Sequence, residues 1–147
     1  MGCDIHSRTE VFRNGMWYEI GYEPFSHRNY GLFGFLANVR NYSRSPVLSP
    51  PRGLPDAVKR GWDNRHSASW FTLDELLAVD YDIEFEDRRT TKQTGPNSWD
   101  GAALADVGEG ELTTLREFLG EHYFKTLEAL QELGDPKLTR VVFDFDS

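Results

Sequence analysis

Apolar and polar residues alternate over the first dozen positions and again over the last nine; between these runs the spacing turns helical. Side chains alternate faces along a strand, so Asp4, His6, Arg8 and Glu10 share one side, and Cys3, Ile5 and Val11 share the other. A second strand-like run, 16–22, is joined to the first, 3–12, by Arg13-Asn14-Gly15. Asn-Gly between two such runs predicts a hairpin, because both central turn positions need positive φ. Residues 138–146 alternate again, with Val141, Phe143 and Phe145 opposed to Arg140, Val142, Asp144 and Asp146. If this strand lies beside the first, Asp144 joins Asp4 and His6 on one surface.

Apolar residues at 32, 33, 35, 36 and 39 predict a helix over 30–40, with Asn29 as N-cap. Its two glycines weaken it and leave room for close packing. Thr72-Leu-Asp-Glu75 is a capping box that opens a second helix through Ala78. Leucines at 112, 115, 119, 127, 130 and 133 predict a third over 111–133, with an interruption at Gly120 and a stop at Gly134 and Pro136. Residues 80–88 alternate as a strand. Segments 23–29, 41–55, 63–69 and 89–108 read as loops, the last with Trp99 as an anchor, and a short turn or helix is expected through Val58. The expected fold is a single α+β domain, 1–147: a small antiparallel sheet formed by the N-terminal hairpin and C-terminal strand, with helices packed on one face.

Composition narrows the function classes. A chain of 147 residues suffices for one core, and 14% aromatic content argues against disorder. One cysteine excludes an internal disulfide framework and fits a reducing cytoplasm. Charges at Asp4, Arg8 and Glu10 interrupt any signal peptide, and His6 stands where myristoylation needs Ser or Thr. No apolar run can span a membrane, so no membrane partner is expected. The net charge of −8 argues against duplex nucleic acid. Its distribution is uneven: residues 1–70 carry +3, almost entirely through arginine, and residues 71–147 carry −11.

MGCDIH at the start, RNYGLF at 28–33, Val39-Arg40-Asn41, RGLP at 52–55, His66-Ser67 with Ser69-Trp70, TLDELL at 72–77 and the closing RVVFDFD occur in one order. Together they resemble a family of small phage and bacterial proteins that begin MGCDIH. The resemblance covers most of the chain. It implies a setting, a phage or prophage protein in the cytoplasm of a bacterial host cell, and not a mechanism. The segment between Asn41 and Arg52 is shorter than the family pattern, and Ala68 replaces a second histidine.

Arg28, Arg40, Arg44, Arg52 and Arg65 lie in or beside loops, with Tyr30, Tyr42 and Trp70 near them in sequence. Guanidinium forks with aromatic plates suit a phosphate plus a nucleobase. The preferred ligand set is His6, Arg28, Tyr30, Arg40, Asn41, His66, Ser67 and Trp70, for a small anionic, nucleotide-type ligand. In a phage setting such a protein could sequester a nucleotide signal of host immunity. A competing enzyme reading places a divalent metal on Asp4, His6 and Asp144 for phosphoester hydrolysis. His6 and His66 could also form an acid/base pair, but the paired H-x-[ST] motifs of a two-histidine phosphodiesterase fail at Arg8 and Ala68, where Ser or Thr is needed. The third class is a protein-interaction module using the acidic helix 111–133. Cys3 reads as a small buried side chain. A symmetric homo-oligomer is compatible with a ligand binder of this size.

Overall fold

The structure, a computed structural model, describes residues 2–55 and 65–146. The turn or helix expected through Val58 lies outside the described residues, as do Asp63 and Asn64 of the expected loop. In chain order the elements are β1 (Asp4–Arg13), β2 (Met16–Glu19), α1 (Tyr30–Ala37), β3 (His66–Thr72), α2 (Leu73–Leu77), β4 (Glu84–Asp87), β5 (Arg89–Gly95), β6 (Ser98–Leu104), β7 (Glu111–Thr114), α3 (Leu115–Leu119), α4 (Glu121–Gln131) and β8 (Thr139–Asp146). The fold is mixed α+β with antiparallel sheets. Among the described residues, no helix is long and apolar enough to cross a membrane. The chain forms two compact units: Met1–Arg28 with Pro50–Val79 and Glu121–Ser147, and Asn29–Ser49 with Asp80–Gly120.

The first unit is built on a four-stranded sheet ordered β2-β1-β8-β3. Asn14 and Gly15 take φ of 52° and 76°, which closes the β1–β2 hairpin as the Asn-Gly pair requires. β8 pairs antiparallel with β1, setting Asp4 opposite Asp146 and His6 opposite Asp144. One sheet face carries Ile5, Phe71, Val141, Phe143 and Phe145, each at most 3% exposed. α4 adds Tyr123, Thr126, Leu127 and Leu130 to the buried set at helical spacing, and Tyr123 stacks on Phe25. Cys3 is fully buried.

The segment 63–69 does not stay a loop: from His66 it is the fourth strand. Ser67 has φ of 55° and the register shifts between His66 and Ser69. That bulge breaks the two-residue alternation by which a strand is recognised. The capping box at Thr72 is present, with the Glu75 carboxylate accepting from the Thr72 N–H and hydroxyl.

The opposite sheet face closes on its own charges. Glu10, 1% exposed, accepts from Arg8 and from Arg140, whose Nε lies 2.7 Å away. The Arg140 guanidinium sits 4.1 Å from the Trp17 ring.

In the second unit Asn29 caps α1, its side chain accepting from the Leu32 N–H, and Asn38 ends it in the left-handed region. The two glycines of α1 serve close packing. A Cβ on Gly31 would lie 2.9 Å from the Phe118 ring, and one on Gly34 would lie 2.7 Å from Asn41 Oδ1. Residues 89–108 are not a loop but are mostly the β5–β6 hairpin, and Trp99 is 64% exposed rather than an anchor. The helix expected over 111–133 is three elements. Its first residues form β7, paired with β4, and Gly120 at φ of 84° separates α3 from α4. Leu112, counted in the helical stripe, is 75% exposed.

Candidate functional site

The chain leaving α1 forms a loop that its own side chains hold open. Asn41 is the tie. Its Nδ2 donates to Asn38 Oδ1 and to the Ser45 carbonyl, and its Oδ1 accepts from the Ser45 N–H and hydroxyl. Three non-glycine residues in this loop have positive φ: Asn38 at 57°, Arg40 at 50° and Arg44 at 56°. Asparagine tolerates that region, but for arginine it costs on the order of 1–2 kcal/mol. All three line one cavity of about 400 Å³, completed by Asn41, Tyr42, and by Ala102 and Leu104 of β6. Strained residues that gather around a cavity are a signature of function.

The cations here rest on rings and carbonyls. Arg40 lies 5.6 Å from the Tyr30 ring and donates to the Tyr42 hydroxyl at 3.2 Å. Arg89 lies 5.9 Å from the Tyr30 ring and 5.6 Å from the Tyr42 ring. The two tyrosines meet edge to face at 5.9 Å. Arg88 and Arg89 donate through Nε to the carbonyls of Ala105 and Gly101. Among the described residues no ion pair reaches Arg44, Arg88 or Arg89. Guanidinium groups oriented by aromatic faces and left without a carboxylate can receive an anion through free N–H forks.

The chain matches no family model, no curated protein and no solved structure. Its function is therefore carried by the chemistry of the site itself.

The ligand set expected from sequence divides between the two units. Tyr30, Arg40 and Asn41 belong to the second; Tyr30 and Arg40 meet there, and Asn41 spends its amide on the loop. His6, Arg28, His66, Ser67 and Trp70 belong to the first. Arg28 holds Asp4 through two hydrogen bonds of 3.0 Å, which lowers the Asp4 pKa below its ordinary value. Arg52 holds Glu75 and lies 4.9 Å from the Trp70 ring. His66 contacts the Ser67 hydroxyl at 3.0 Å and stacks on Phe145.

The proposed metal ligands are neighbours in register but are engaged separately. His6 Nε2 meets Asp146 at 2.5 Å, Arg28 holds Asp4, and Arg65 donates to Asp144 at 3.1 Å. Burial raises the Asp144 pKa, outweighing the opposing pull of Arg65. Among the described residues no three His, Cys, Asp or Glu side chains gather as a metal set.

Arg89 is the principal site residue that sequence reasoning missed. It stands at the start of β5, in a stretch without apolar periodicity, and the tyrosines it contacts lie more than forty positions earlier in the chain. The Thr90-Thr91-Lys92-Gln93-Thr94 run, followed by Gly95-Pro96-Asn97, was the available signal for a strand and turn.

Proposed function

We propose that the chain binds a small anionic ligand of nucleotide type in the cavity bounded by Asn38–Arg44 and β6. One observation supports the reading: Arg44, which lines this cavity with Arg40 and Tyr42, has no carboxylate partner among the described residues, whereas Arg28, Arg52 and Arg65 each hold one. Arginines that already hold acids must release them before binding phosphate; Arg44 needs no such exchange. The resemblance to MGCDIH proteins supplies the setting in which such a binder would act, sequestration of a nucleotide signal of host immunity by a phage protein in the bacterial cytoplasm.

The test is calorimetric titration with pyrophosphate and with nucleotides, alongside mass spectrometry of small molecules released on heating the purified protein. Saturable pyrophosphate binding, weakened at least fivefold by Arg44→Gln, is expected. Pyrophosphate heats indistinguishable from dilution would sink the proposal. The hydrolase reading on Asp4, His6 and Asp144 has strand register in its favour, but both aspartates are held by arginine, and among the described residues no three such side chains gather. EDTA-sensitive nucleotide turnover lost in His6→Ala would restore it.

A further inference from the structure

The same unit contains a second cavity of about 390 Å³ with the opposite electrostatic character. Asp87, Glu111, Arg89, Asn29, Ser43 and Phe118 line it. The Phe118 ring packs edge to face on Phe85 at 5.0 Å, and it approaches the chain at Gly31, where a Cβ would be 2.9 Å from it. Asn29 spends its Oδ1 on capping Leu32, which leaves its amide N–H₂. Asp87 accepts from the Arg89 backbone N–H, and among the described residues neither Asp87 nor Glu111 is in an ion pair.

The two cavities flank one short stretch of chain. Tyr42 and Arg44 line the arginine cavity, while the residue between them, Ser43, lines the acidic one. Arg89 lines the acidic cavity and lies 5.6 Å from the ring of Tyr42, which lines the arginine cavity, so the linings of the two spaces are in contact. A phosphate is repelled by Asp87 and Glu111 and attracted by Arg40 and Arg44. Amine and hydroxyl donors have the reverse preference, because carboxylates accept and guanidiniums cannot. Each cavity falls within the size range of small-molecule sites.

We infer that the ligand is bipartite: its phosphate lies in the Arg40–Arg44 cavity, and a nucleoside lies in the Asp87–Glu111–Phe118 cavity. The base would lie against Phe118, and its amine or the ribose hydroxyls would donate to the carboxylates. This inference rests on the anion-binding reading above and adds the polarity and class of the ligand.

The experiment titrates the full chain with pyrophosphate, with 5′-diphosphates of the four common ribonucleosides, and with 3′,5′-cyclic dinucleotides. The tightest nucleotide is expected to bind at least tenfold more tightly than pyrophosphate. Glu111→Ala and Phe118→Leu should each weaken that nucleotide at least fivefold and leave pyrophosphate within twofold; Arg44→Gln should weaken both. If no nucleotide exceeds pyrophosphate, or if both acidic-cavity variants bind it unchanged, the bipartite assignment falls and the anion site stands. If pyrophosphate does not bind, or Arg44→Gln leaves its affinity unchanged, the anion site falls and takes this inference with it.

Discussion

Asn41→Ala tests whether one amide organises the anion site. The side chain makes four hydrogen bonds, three of them to Ser45, which is 5% exposed. Truncation removes the acceptor from the Ser45 N–H and hydroxyl and leaves space beside Gly34. A net hydrogen bond is worth about 1 kcal/mol, and a buried group left unsatisfied costs about 1–3 kcal/mol. The bonds share one side chain, so they do not add, and the expected destabilisation is about 2–3 kcal/mol. At this chain length that lowers the melting midpoint by roughly 4–12 °C. Urea denaturation followed by circular dichroism gives the free energy, and hydrogen exchange at the Ser45 and Leu48 amides localises it. Asn41→Asp separates scaffold from electrostatics. It keeps the acceptor for Ser45 but sets a carboxylate against two oxygens and beside the arginine cavity, so pyrophosphate binding should fall further than stability does. If Asn41→Ala loses less than about 0.5 kcal/mol and its Ser45 amide stays protected, the loop is not organised by this residue.

Other perturbations have outcomes of known sign. Glu10→Ala strips a buried carboxylate from Arg8 and from Arg140, whose Nη2 already lacks a hydrogen-bond partner among the described residues; a loss of about 3–5 kcal/mol is expected in urea, and one below about 1 kcal/mol would contradict it. Arg52 lowers the Glu75 pKa to about 2 from an ordinary 4.5, and depressed acids stabilise above their unfolded pKa. That contribution, reduced by partial exposure to about 1 kcal/mol, should be complete above pH 4.5 and disappear as pH falls toward 2; Arg52→Met should flatten this part of the stability profile. Asp144 has the opposite sign, since its raised pKa favours the fold at low pH and is unfavourable once pH rises through the folded value; Asp144→Asn should remove that decline. Tyr42→Phe deletes the hydroxyl that accepts from Arg40 but keeps the ring beside Arg89. A two- to fivefold weakening of pyrophosphate is expected, and an unchanged affinity would argue against Arg40 orientation by Tyr42.

What could be read from the sequence depended on whether the signal was local. Asn14-Gly15, Asn29 and Thr72-Glu75 announce a hairpin, a cap and a capping box through side-chain and φ requirements a few residues apart, and each is found. The β5–β6 hairpin is exposed on both faces, so burial leaves no alternation to detect. β3 lost its pattern to the Ser67 bulge, and leucines at 112, 115 and 119 share helical spacing although the first is on a strand. The site divides in the same way. Tyr30, Arg40, Tyr42 and Arg44 come from one continuous stretch; all four were noted among the arginines and aromatics near loops, but only Tyr30 and Arg40 entered the expected ligand set. Asp87 and Glu111 meet only through the pairing of β4 with β7, and Arg89 contacts tyrosines more than forty positions away, so no single window contains them.

The pairing of β1 with β8 also imposes a timetable on biosynthesis. Residues opposite each other in that ladder are more than a hundred positions apart. As the chain is made from its N-terminus, Ile5 and its neighbours emerge long before Phe143 and Phe145, and every segment of the second unit is polymerised in the interval. The central strand pair therefore closes a very large loop late, the kind of non-local contact that slows folding and prolongs exposure of apolar surface. Nascent chains arrested before residue 139 should thus be the most dependent on chaperones.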